Sequence, residues 1–213
     1  ILDLNGNNQA VANLNSVGAL SGTGGTVQNS GAAATLRVGL SGNQTWSGNI
    51  SGTGVINLVR DGGSTWTVNS ANTFTGTTTL QGGALALVDL GTLQGTSAIT
   101  IRRSALIWND TGVQALGGRL PASVPITLEG GAFTYQARAG TDGTAQVGTI
   151  TLNTGASLLT ATPTAGTATI TIGAITRNSG SGLTFRGGGV VSGAGRAGAA
   201  RGESVWFSAI SRK

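Results

Sequence analysis

The sequence predicts an all-β chain folded as a parallel β-solenoid, and three observations carry that prediction. The first is composition: 38 of 213 residues are Gly, charged residues make up only 9%, and there is no Cys, Met or His. The Gly is interleaved with Thr, Leu, Ile and Val rather than gathered in Ser/Gln tracts, which is the mixture expected of many short strands joined by tight turns. The second is repetition. Four segments, 78–87 (TTLQGGALAL), 99–108 (ITIRRSALIW), 126–135 (ITLEGGAFTY) and 150–159 (ITLNTGASLL), align without gaps and recur at a nearly even interval. A unit this small cannot bury its own apolar face, but stacking it on a near-copy buries a continuous column. The third is the Gly at the middle of the copies: Gly82, Gly83, Gly130, Gly131 and Gly155 fall where a rung must bend sharply and positive φ is favoured.

Taken from the start, Ile1, Leu2 and Leu4 enter directly as strand with no amphipathic helix ahead of them, so the first rung is expected to present an uncapped edge. Trp46 and Trp66, in QTWSGNI and STWTVNS, are separated by one repeat interval and are expected one rung apart. In each copy the β-branched triplet reads as a strand with its central Thr outward and its flanking Ile or Leu inward; Ala and an apolar pair read as the next strand. The second copy has Arg103 and Ser104 in place of corner Gly, so a differently built bend is expected there. A fifth, weaker copy is read at Ile170 (ITIGAI), one interval beyond the copy that starts at Ile150. About nine rungs of 20–27 residues, stacked at about 4.8 Å, make a rod roughly 40 Å long. Residues 1–186 are assigned to this solenoid, and 187–213 to a basic Gly/Ala-rich tail. There Val205, Trp206 and Phe207 are expected either to add as a strand to a neighbouring subunit or to stay disordered.

Composition also limits chemistry. Without His there is no near-neutral general base or imidazole ligand, and without Cys no thiolate, zinc cluster or disulfide, so neither metal nor cofactor is expected. The net charge of +5 is mostly a tail property: residues 1–185 carry seven Arg against six acids, and residues 186–213 carry five cations against Glu203. Those cations lack the aromatic interleaving of a single-strand binder, so nucleic acid is not an expected partner. No apolar run reaches the length that a bilayer-spanning helix needs, so no helical membrane span is expected. Starting at Ile1 without a charged and hydrophobic leader, the chain reads as a mature or excised fragment.

Two carboxylates remain to be weighed. Asp89 and Asp110 lie at the same offset from Thr78 and Ile99, the starts of their copies, and are expected to face each other one rung apart, near Arg102 or Arg103. They read either as a glycan-cleaving pair with a basic neighbour or as two Asp side chains capping successive loops. Later copies carry Ala137 and Ala161 at that offset, which favours capping. Trp46, Trp66, Phe74, Trp108, Phe133, Tyr135 and Trp206 likewise read as a sugar-stacking strip or as core filling; most sit beside inward Leu or Ile, which favours the core.

Residues 66–85 (WTVNSANTFTGTTTLQGGAL) resemble the autotransporter-associated β-strand repeat. The match lies at Asn72, Thr73, Phe74, Thr75, Gly76, Thr78, Thr79, Leu80, Gly82, Gly83 and Leu85, with looser similarity at 2–7, 46–56, 122–131 and 168–185. The resemblance implies a right-handed parallel β-helix from an exported bacterial passenger, used for adhesion, scaffolding or display more than for catalysis. Residues 187–213 lack the amphipathic strands of a translocator barrel. The expectation is therefore a non-enzymatic extracellular or cell-surface solenoid: a stalk, an adhesin or the subunit of an end-to-end fibre. Its partners would be itself, the rest of a longer passenger, or host and matrix glycans. A glycan-binding or glycan-cleaving β-helix is the alternative.

Overall fold

The computed structural model describes residues 1–16, 18–187, 190–196 and 204–206, the last two stretches as backbone. Every regular element among them is a β-strand. The first rung holds β1 (Leu2–Asp3) and β2 (Gln9–Val11); the second β3 (Thr26–Asn29), β4 (Ala34–Gly39) and β5 (Gln44–Trp46); the third β6 (Asn49–Gly52), β7 (Ile56–Asp61) and β8 (Thr65–Val68). Then follow β9 (Ala71–Asn72), β10 (Gly76–Gln81) and β11 (Ala84–Leu87), and next β12 (Thr92–Leu93), β13 (Thr96–Arg102) and β14 (Ala105–Asn109). The sixth rung has β15 (Ile126–Glu129) and β16 (Ala132–Gln136). In the seventh one long β17 (Gly143–Thr162) turns from face to face, and β18 (Ala168–Arg177) with β19 (Ser181–Arg186) lies on it. The backbone ends with β20 (Val190–Arg196) and β21 (Ser204–Trp206).

These strands form a parallel β-solenoid of about eight turns with three faces. β1, β3 and β6 make the first face, continued by the β9–β12 pair through the Phe74 amide on the Ile50 carbonyl. The second face runs β2, β4, β7, β10, β13, β15, β17, β18, β20, and the third runs β5, β8, β11, β14, β16, β17, β19. Stacking on the second face therefore continues past residue 186, where β20 pairs in parallel with β18.

Alternation along each strand sorts side chains into columns. Inward on the second face stand Leu36, Leu58, Thr78, Ile99, Ile126 and Ile150. Inward on the third face stand Trp66, Leu85, Leu106, Phe133 and Leu159, beside Trp46, Val68, Leu87, Trp108, Tyr135 and Ala161, all buried. Each large side chain here contributes about 1.5–3 kcal/mol of burial. The central Thr of the triplets faces outward, as Thr79, Thr100, Thr127, Thr151 and Thr176 in adjoining rungs. One column is interrupted by a cation: Arg60 stands between Val38 and Leu80 and turns its guanidinium into the bend, donating to the Gly62, Gly82 and Ser64 carbonyls.

Registers agree with the gapless alignment through the first three copies and then depart from it. Phe133 lies opposite Leu159, not Ser157, because the bend after Leu152 is longer than its counterparts. That slip places a Leu, instead of a serine, in the apolar column. Ile150 pairs with Ile175 rather than Ile170, which stands opposite Ala145 earlier in the same ladder. Trp46 pairs with Val68, so the two tryptophans occupy neighbouring columns and Gln44 stands opposite Trp66. The Arg103 bend also turns through positive φ at the position of its Gly counterparts: Arg103 takes φ 44° where Gly82, one rung before, has 102° and Gly130, one rung after, has 66°. Ser104 adds a hydroxyl bond to the Gly82 carbonyl at 3.0 Å.

Candidate functional site

On the third face β14 ends at Asn109, and the chain makes an irregular excursion before β15 begins at Ile126. Arg119, fully buried, is the hub of that excursion. Its Nε donates to Asp110 Oδ1 at 2.9 Å, and its terminal nitrogens donate to the carbonyls of Asp89 and Gly91 at 2.8 Å, Asn109 at 2.9 Å and Gln114 at 3.1 Å. Asp110, also buried, accepts the Trp108 indole N–H at 3.1 Å and the Leu116 amide at 3.2 Å. Tyr135 packs edge-on to Trp108, with centroids 6.1 Å apart at 84°. Burial first, and then the charge and hydrogen bond of Asp110, push the Tyr135 phenol up to about 12. Burial likewise draws Arg119 below its ordinary value, and Asp110 opposes it. An open cleft of about 210 Å³ adjoins this cluster, between Asp110, Tyr135, Arg138, Thr141 and Asp142.

Asp89 lies at the same corner, one rung back, at φ 51°. Its Oδ1 accepts the Val113 amide at 2.6 Å and the Gln114 amide at 3.3 Å. The two Asp residues therefore share a corner, as their common offset anticipates, and each accepts backbone amides of the 111–119 excursion through its Oδ1. Arg102 and Arg103 stand at the opposite end of β14, roughly 17 Å of strand away. Arg102 pairs with Glu129 at 2.6 Å on the second face, half-exposed. The four residues do not converge on one groove, and the corner is a loop anchor. Arg119 went unseen in the sequence because its partner is set by an irregular excursion. The only signal was the spacing from Ile99 to Ile126, the longest between successive copies.

At the first end of the rod, Ile1 is 93% exposed, Leu2 is exposed as well and Leu4 is buried. Among the described residues β1 pairs with β3 alone. At the other end, Val205 and Trp206 lie on β21, which pairs antiparallel with β20 of the same chain: Trp206 is opposite Ala194 and Val205 opposite Gly195. Phe207 lies outside the described residues. Trp46, Trp66, Phe74, Trp108, Phe133 and Tyr135 are all buried, so these six fill the core and form no surface strip. Among the described residues no cluster of three or more Asp or Glu side chains is placed to hold a metal ion, and no helix is long and apolar enough to cross a membrane.

No protein-family model, no curated protein and no solved structure matches the chain.

Proposed function

We propose that the chain is a structural β-solenoid of the bacterial cell exterior, acting as a stiff stalk-like segment that holds its lateral faces away from the surface. The observation that carries this reading is the unbroken parallel stack of the second face from β2 to β20, with apolar columns running through it. A stack closed by backbone hydrogen bonds at every rung resists bending and sets distance, roughly 40 Å for about eight turns. The resemblance of residues 66–85 to the autotransporter-associated repeat supports the extracellular, non-enzymatic part of the proposal. Antiparallel β21 covers part of the β20 edge, which counts against end-to-end growth from that edge, since fibre growth needs both edges open.

Negative-stain electron microscopy over a dilution series tests it. Single short rods at every concentration are expected. Regular filaments whose axial repeat equals one rod would replace the stalk with an end-to-end fibre, and release of reducing ends from a polysaccharide panel would replace it with an enzyme.

A further inference from the structure

The third face begins late. Its first strand among the described residues is β5, in the second rung; residues 12–16 and 18–24 hold no strand. They cross the opening as an irregular strap, tied down by the Ser16 amide on the Thr45 carbonyl at 2.8 Å, the Gly22 amide on Ser70 Oγ at 2.8 Å and the Trp66 indole on the Leu14 carbonyl at 3.1 Å. Between the strap and β5 lies a cleft of about 350 Å³, within the range of small-molecule sites. Asn15, Ser16, Asn43, Gln44, Thr45 and Asn69 line it, and among the described residues no charged side chain does.

Two features of this cleft contradict a purely structural role. Gln44 occupies the inward column position that is Trp66 in the next rung and Leu85, Leu106, Phe133 and Leu159 beyond. A polar amide at the head of an apolar column breaks the local rule of the fold, and such breaks concentrate at functional sites. In addition, Asn69 Oδ1 is buried with no hydrogen-bond partner. An unpaired buried acceptor costs about 1–3 kcal/mol, and the terminal torsion of an Asn amide is soft enough to turn it toward a ligand.

We infer that this cleft binds a neutral saccharide unit. Carboxamides and hydroxyls each offer donor and acceptor, the pattern that vicinal sugar hydroxyls complement. With no cation among the described residues of the lining, a uronate carboxylate finds no charged partner among them. This goes beyond the stalk reading and stands or falls separately: it concerns one lateral cleft, whatever the assembly of the rod.

The test uses the full chain labelled with ¹⁵N, and methyl glucoside, methyl galactoside, N-acetylglucosamine and glucuronic acid as probes. Saturation transfer to at least one neutral sugar at millimolar concentration is expected, with shifts in the side-chain amide signals of Gln44 and Asn69 and weaker transfer to glucuronic acid. Gln44→Leu, which extends the apolar column, should weaken binding roughly tenfold while the melting temperature stays level or rises. No transfer to any neutral sugar, preference for glucuronic acid, shifts that spare both amides, or undiminished binding by a folded Gln44→Leu would each overturn the inference. The amide shifts of the unmutated chain decide the matter if that variant does not fold.

Discussion

Arg103 holds a φ of 44° at a bend position where neighbouring rungs use Gly82 and Gly130. A side chain in the left-handed region costs about 1–2 kcal/mol, so Arg103→Gly should raise stability by about 1 kcal/mol. A higher urea midpoint at unchanged slope would register the gain. Tyr135 gives a second prediction at this scale. Its phenol titrates near 10.0 in an unfolded chain and at about 12 in the fold. The folded state thus binds the proton more tightly. The stability this contributes is complete below pH 10 and is lost as the pH rises through about 12. Melting temperatures should fall steeply across that interval in the parent protein and more gently in Tyr135→Phe. Neither residue announces its state in the sequence: Arg103 reads as a polar substitute for Gly, and Tyr135 as one more aromatic.

The excursion between β14 and β15 is an element with one buried guanidinium at its hub, beside the amide bonds that Asp89 and Asp110 accept from it. Arg119→Ala leaves Asp110 charged and buried without its counter-ion, a change that costs about 3–5 kcal/mol. The Arg37–Asp61 pair is the control: Arg37 is 54% exposed, so Arg37→Ala should cost no more than about 1 kcal/mol. Chemical denaturation of the two variants side by side checks both figures, and equal losses would show that the Arg119 cluster carries no special weight. At this scale the triplets at 78, 99 and 126 were legible as stacked strands because their apolar alternation and bend length agree. Ile170 pairs with Ala145 and not with Ile150 because alternation has a period of two and leaves open which of several alternating residues the neighbouring rung takes as partner.

For the rod as a whole, contacts run mainly between neighbouring rungs, so the ends should open before the middle. Asp3 ties the first rung to the second: its carboxylate accepts Gln28 Nε2 at 2.9 Å and the amides of Asn5 at 2.9 Å and Ser30 at 3.1 Å. The Gln28 bond foremost, then the amides, hold its pKa at about 2 instead of 3.8. A depressed carboxylate favours the fold above its unfolded value, and that contribution disappears as pH falls through the folded one. Amide resonances of the first rung should therefore shift with a midpoint near 2, while those of β13–β16 stay fixed and Asp3→Asn abolishes the step.

Composition and spacing by themselves determined the class of fold. A chain so rich in Gly, with Thr/Ile triplets recurring at a nearly even interval, has few ways to bury apolar side chains other than stacking. They also determined that most of the aromatics belong inside, since these sit beside inward aliphatics. Tertiary structure alone decided the registers after Leu152, the path of the excursion pinned by Arg119, the placing of Gln44 at the head of a core column and the folding of β21 back onto β20. The reason is the same in each case. A strand repeat specifies which side chains alternate, but the length of each bend and the neighbour above decide where an irregular segment finds partners for its backbone and its charges.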